Sequence, residues 1–187
     1  MNSVDEEIRR QLSAGERVLW SGRPVQGIVF RASDVFNIPF SLMWGGFAFF
    51  WEWSVVSSPK APAFFAAWGI PFVLVGLYLI VGRFFVDAQQ RARTYYAVTN
   101  ERVLIVSGVF RRVVKSLSLR TLTDVSLSEK PNGDGSVTFG AASALSAMYG
   151  LFGGWSRTGA QLGPQFDVIP KAKAVYEVIR EAQKEAG

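Results

Sequence analysis

Two long stretches of this chain contain almost no charge, and everything around them alternates. From Val35 to Val56 the sequence reads VFNIPFSLMWGGFAFFWEWSVV, with Glu52 as its one charge. After Ser57-Ser58-Pro59-Lys60-Ala61 a second stretch opens at Pro62 and runs uncharged to Arg83. An α-helix of about 20 apolar residues spans the roughly 30 Å hydrocarbon layer of a bilayer. Both stretches reach that length, and neither carries the repeating polar face of a helix lying on a soluble core. The pattern predicts a two-helix transmembrane hairpin. A cleavable signal peptide fits poorly, because the first run starts more than 30 residues into the chain behind a charged leader.

Either side of the hairpin the period shortens. Val4, Ile8 and Leu12 recur every four residues behind the capping-box sequence Ser3-Val4-Asp5-Glu6, predicting a short amphipathic helix that ends near Gly15. Its apolar stripe is expected to dock on the rest of the chain. Arg17 to Gly22 reads as a strand. Beyond the hairpin, strand patterns cover 94–99, 102–106, 109–119, 122–127, 136–140 and 166–169, with turns at Asn100-Glu101 and Pro131-Asn132-Gly133-Asp134-Gly135. Pro170 is expected to open a last helix at its first position, with Ala172, Val175, Ile179 and Ala182 as its apolar stripe. About seven short antiparallel strands leave open edges unless the sheet curls and is covered, and one C-terminal helix suits that task. The expected fold is therefore a membrane α+β protein: a transmembrane hairpin plus an antiparallel β-barrel or sandwich of pleckstrin-homology (PH)-like shape, capped by a C-terminal helix. The division is 1–34 for the leader, 35–86 for the hairpin and 87–187 for the β domain, which carries a Gly/Ala/Ser-rich insertion at 141–165.

Charge orients the hairpin. Arginines flank both outer ends, whereas the connecting loop has Lys60 alone, so both termini are expected in the cytoplasm. Trp51, Trp53 and Trp68 cluster near that loop, at headgroup level. Glu52, one turn from the same boundary, is an ion or proton site on one reading; on the other it is a carboxylate that snorkels to the headgroups. Pro71 is expected to bend the second span, and Gly45, Gly46, Gly69 and Gly76 to allow close helix packing.

Composition narrows the chemistry. Among 187 residues there is no Cys and no His, which removes thiol chemistry, disulfides, Cys/His zinc sites and imidazole proton relays. No nucleophile–base pair, paired carboxylate or phosphate-cradling glycine loop can be assembled, so neither an enzyme nor a cofactor is expected. The net charge of +5 is concentrated: eight basic residues against two acids lie between Arg83 and Arg120, a local excess of six. Because this excess adjoins a membrane span and no nucleic-acid motif accompanies it, nucleic acid is not the expected counterpart; the cations are expected to set topology and tilt at the membrane, with recognition of anionic lipid headgroups as the alternative.

Tyr96-Ala97-Val98-Thr99-Asn100-Glu101-Arg102, followed by Ser107-Gly108 and Ser116-Leu117-Ser118-Leu119, resembles the bacterial PH-like domains of small membrane proteins, where a Y-x-x-T-x-x-R pattern follows transmembrane helices. The leader Gly15-Glu16-Arg17-Val18-Leu19-Trp20-Ser21-Gly22-Arg23-Pro24 and the ending Phe166-Asp167-Val168-Ile169 are similar to the same family. The resemblance implies a cytosolic β-barrel beside a membrane anchor in the bacterial inner membrane, and no catalytic residues. The insertion at 141–165 departs from the pattern.

These readings nominate contacts. Arg102 either forks onto a headgroup phosphate or pairs with an acid or carbonyl at the Thr99-Asn100 turn. Arg111, Arg112 and Lys115 are candidate lipid contacts, and Phe152 and Trp155 candidate membrane or partner contacts in the insertion. The expected function is a non-enzymatic binding or scaffolding module at the inner membrane, engaging a protein partner, a second copy of itself or anionic lipid. The alternative is a subunit of a transport or permeability assembly.

Overall fold

The computed structural model describes residues 3–30, 34–108, 112–140 and 163–187. Helix α1 (Ser3–Arg9) precedes strand β1 (Val18–Gly22). Helix α2 (Asp34–Val56) is followed by a continuous helical rod made of α3 (Ala63–Leu77), a π turn (Tyr78–Gly82) and α4 (Arg83–Ala92). Strands β2 (Tyr95–Thr99), β3 (Arg102–Ser107), β4 (Val113–Ser118), β5 (Val125–Glu129), β6 (Gly135–Phe139) and β7 (Gln165–Ile169) come next, then helix α5 (Ala172–Ala186).

The seven strands form two antiparallel sheets, ordered β1-β2-β3-β4 and β5-β6-β7. Strand alternation assigns the layers. Tyr96 and Val98 of β2 and Val103 and Ile105 of β3 face inward, meeting Val137, Phe139, Phe166 and Ile169 of the second sheet and Val175 and Ile179 of α5. Phe166 is at the centre, with ring contacts to Tyr96 (4.6 Å between centroids), Phe139 (5.0 Å) and Trp20 (5.7 Å). The intervening residues Ala97, Leu104 and Val106 point outward, and α1 covers them with a fully buried Ile8. The leader helix therefore docks on the sheet, as its stripe implied. Gly135 makes the α5 contact possible: a Cβ there would lie 2.4 Å from the Ser128 carbonyl and 2.8 Å from the Ala172 methyl.

Some boundaries depart from expectation. Helix α1 ends at Arg9 rather than near Gly15. Strand β5 starts at Val125, not Leu122, because Leu119–Thr121 form a 3₁₀ turn that buries Leu119. Pro170 lies outside α5: Lys171 adopts a left-handed conformation and the helix begins at Ala172. The stripe Ala172, Val175, Ile179 and Ala182 is nevertheless the buried one.

Helix α2 packs antiparallel on the rod, with Gly45 opposite Gly76. A Cβ on Gly76 would lie 3.0 Å from the Gly45 Cα, so small residues set the approach distance. At the sandwich end of the pair, Asp34 and Arg83 form an ion pair of 3.1 Å. Among the described residues one helix, Ala63–Ala92, is long and apolar enough to cross a membrane, and only 17% of its most apolar 18-residue stretch is buried. Two were expected. Helix α2 has the length, but Asn37, Ser41, Trp44, Trp51, Glu52, Trp53 and Ser54 dilute its apolar character.

The sandwich has an end near the helices and an end far from them. Helix α4 leads through Arg93-Thr94 into β2, whose first residue, Tyr95, is thus near and whose last, Thr99, is far. The near end is tied to the rod: the buried Arg91 donates to the Gly27 carbonyl, Phe30 packs edge-on against Phe84 at 5.7 Å, and Lys130 Nζ donates to the Phe30 carbonyl at 3.4 Å. The far end gathers the β2–β3 turn, the 3₁₀ turn after β4, and the C-terminal turn of α5.

Candidate functional site

The Y-x-x-T-x-x-R residues build a latch at the far end. Strand pairing brings Thr99 and Arg102 to the two sides of a two-residue turn. The Thr99 hydroxyl accepts from the backbone N–H groups of Glu101 (3.2 Å) and Arg102 (3.0 Å) and donates to Glu16 Oε1 at 2.7 Å. Arg102 forks onto the same carboxylate, Nε to Oε1 at 2.9 Å and Nη2 to Oε2 at 2.8 Å. Its other donors reach the Gln11 carbonyl (2.9 Å), Ser13 Oγ (3.2 Å) and Ser116 Oγ (3.3 Å). Tyr96 begins the pattern and accepts from the Asp167 backbone N–H at 3.0 Å.

The pattern therefore fastens the leader to the sheet. The Glu16 side chain is fully buried, and the hydrogen bond from Arg102 is the main cause that holds its carboxyl at a pKa of about 2. Burial opposes this, while the Ser13 N–H and the Thr99 hydroxyl assist. Reciprocally, the Glu16 carboxylate raises the affinity of Arg102 for its proton. Of the two readings open for Arg102, pairing with an acid and a carbonyl is the arrangement present. Glu16 was not singled out from the sequence as its partner. The one available signal was that Glu16 is the single acid of the family-like segment 15–24, 86 residues before Arg102.

The other nominated residues are dispersed. Arg112, beside the near end, is ion-paired with Glu7 of α1. Lys115 is half-buried on β4 and also has an interaction partner. Val113 and Val114 are exposed between them. Arg111, Phe152 and Trp155 lie outside the described residues, as does most of the 141–165 insertion. Its described flanks, Gly140 and Gly163, adjoin Phe139 and Gln165, both at the far end.

Glu52 does not turn outward to the headgroups. Its Oε2 is buried between the helices with no hydrogen-bond partner among the described residues, and a Cβ added to Gly69 would lie 1.7 Å from it. Only a glycine opposite leaves space for that carboxylate, which is why an outward reach, read from the flanking tryptophans, is not taken.

A second far-end feature has no counterpart in the sequence reading. Leu119, Arg120 and Leu122 after β4 and Arg180, Gln183 and Lys184 of α5 line an open cleft of about 590 Å³. Gln183 Nε2 donates to the Leu122 carbonyl at 2.8 Å and holds the two walls together. Among the described residues no group of three or more acidic side chains is placed to hold a metal ion.

No curated protein and no solved structure matches the chain. Residues 36–183 match the bacterial PH domain family, covering the helix pair as well as β2 to β7. Glu16 and α1 lie ahead of the match, so the latch joins a segment outside it to a turn inside it. Two antiparallel sheets closed by a C-terminal helix agree with that assignment, and the chain belongs to the bacterial PH domain family.

Proposed function

We propose that α2 and the Ala63–Ala92 rod cross the bilayer as a hairpin and hold the PH-like sandwich at the cytoplasmic face of the bacterial inner membrane, where it acts as a non-enzymatic binding module. One observation carries this reading: of the 28 large hydrophobic side chains exposed among the described residues, 22 lie between residues 35 and 86. Exposed apolar surface costs roughly 25 cal/mol per Å² in water and nothing in hydrocarbon. A helix of 23 residues is about 34 Å long, enough for the hydrocarbon layer. The 30-residue rod is longer, about 45 Å, so its amphipathic last turns emerge from the hydrocarbon, where Arg83 pairs with Asp34 and the buried Arg91 ties the rod to the Gly27 carbonyl.

Arg112 and Lys115, with the exposed Val113 and Val114 beside them, put cations and apolar side chains together at the near end, where an anionic leaflet is within reach. Each such cation contributes about 1 kcal/mol toward anionic lipid, less where an acid such as Glu7 already pairs it. Extraction of native membranes at alkaline pH tests the anchor. The chain is expected to stay in the pellet and to require detergent; release into the supernatant overturns the reading.

A second reading, as a subunit of a transport or permeability assembly, is favoured by the unpartnered Glu52 oxygen between the helices. Ion flux in reconstituted vesicles, compared with Glu52→Gln, tests it: a flux lost in the variant supports transport, and equal leakage in both removes it.

A further inference from the structure

The far-end cleft is built from two segments 60 residues apart. Arg120 comes from the 3₁₀ turn, whereas Arg180 and Lys184 sit four residues apart on α5. All three are exposed. Among the described residues Arg120 and Lys184 make no ion pair, and Arg180 spends one N–H on Gln183 Oε1 at 3.3 Å. Other arginines of the molecule are matched: Arg83 with Asp34, Arg91 with Asp87, Arg102 with Glu16 and Arg112 with Glu7. Even with a terminal carboxylate on Gly187 at its rim, the cleft keeps an excess of two positive charges. Like charges four apart on a helix repel. Helix-dipole complementarity accounts for a cation in the last turn of α5, but not for Arg120 converging on it from another element.

The floor is apolar, formed by the buried Leu119 and half-buried Leu122. A single phosphate needs no such floor, and no glycine-rich run of N–H groups lines the cleft. The bilayer is also out of reach. Strands of five or six residues separate the two ends by about 17 Å, whereas charge is screened over about 8 Å at physiological salt.

We propose that this cleft docks an acidic peptide segment of a partner protein, with carboxylates on Arg120, Arg180 and Lys184 and one apolar side chain on Leu119 and Leu122. The proposal rests on the membrane-anchored reading only for which end faces the bilayer. Peptide binding is measured independently of that reading, so the two fail separately.

The test uses the full chain in nanodiscs of neutral phosphatidylcholine and a panel of short fluorescein-labelled peptides, each with one Leu or Phe between runs of Asp and Glu. Fluorescence anisotropy is expected to show saturable binding that falls with added salt. Arg120→Ala with Lys184→Ala is expected to weaken it about tenfold or more, and Arg120→Lys to retain most of it. Both positions are exposed, and an unchanged near-ultraviolet circular dichroism spectrum verifies that the variants fold. Replacing the apolar residue by Gly is expected to weaken binding as well. Absence of saturable binding across the panel, equal affinity in the double variant, or full displacement by inorganic phosphate at millimolar concentration each overturns the proposal.

Discussion

In the helix pair the large apolar side chains point outward and the polar ones inward; in the sandwich the arrangement is reversed. Phe36, Phe47, Phe50 and Trp53 of α2 are each at least 67% exposed, while Asp34, Ser41 and the Glu52 oxygen are covered. Phe166, Val98, Val103 and Ile169 are fully buried in the sandwich. The polar groups differ just as much. The buried carboxylate of Glu16 accepts four hydrogen bonds, one each from Ser13 and Thr99 and two from Arg102, whereas Glu52 Oε2 has none among the described residues. On the proposed membrane-anchored reading, the two halves are folded for different solvents. In water, apolar burial and satisfied polar groups provide stability. In hydrocarbon, close backbone approach and helix packing must do so.

The sharpest way to test the contrast is to remove a large core residue from the sandwich. Phe166→Ala is expected to cost about 4 kcal/mol, read as loss of the sandwich's thermal transition by near-ultraviolet circular dichroism in detergent. A shift of a few tenths of a kcal/mol would mean that the core is not centred there.

The latch comes next. Arg102→Ala leaves Glu16 buried and unpaired, with an expected loss of about 3 kcal/mol. The carboxyl is held near a pKa of 2, below its value of 4.5 in the unfolded chain, so its stabilisation is complete above about pH 4.5 and is lost as pH falls toward 2. Glu16→Gln is expected to flatten that stretch of the stability–pH curve. An unaltered acid limb would show that other groups control it.

A smaller effect is expected in the helix pair. Gly76→Val introduces a Cβ 3.0 Å from the Gly45 Cα and should cost about 2 kcal/mol of helix packing. The sandwich spectrum should stay unchanged, and coupled loss of both regions would contradict their separation. Smallest of all, changing Arg111, Arg112 and Lys115 together to Ser is expected to lower the anionic lipid retained by the purified chain, by about 1 kcal/mol per cation at most and by less for Arg112, which Glu7 pairs. Native mass spectrometry of chains extracted from mixed-lipid membranes reads that out.

Much of the fold was legible because it rests on local periodicity. The α5 stripe at Ala172, Val175, Ile179 and Ala182, the Asn100-Glu101 turn and the docking face of α1 each follow from spacing within a single segment. What spacing could not reveal involves partners distant in sequence. Glu16 and Arg102 are 86 residues apart, Arg120 and Arg180 are 60 apart, and nothing near either end of those pairs marks the other. The direction of Glu52 was hidden for a related reason: it depends on Gly69 across the helix interface, whereas the adjacent Trp51 and Trp53 suggested the headgroups. Local overrides explain the boundary shifts. The buried Leu119 draws the chain into a 3₁₀ turn before β5, and the left-handed Lys171 delays α5 past Pro170.

The central claim is that residues 35 to 86 lie in hydrocarbon and leave the sandwich on the opposite side from the Lys60 loop. The chain has no cysteine of its own, so single replacements report position directly. Labelling Lys60→Cys and Glu129→Cys with a membrane-impermeant maleimide, on intact cells stripped of their outer membrane, tests it most directly. The account predicts that Lys60→Cys reacts before lysis and Glu129→Cys only after it. Equal reactivity of both positions, or the reverse order, would contradict it.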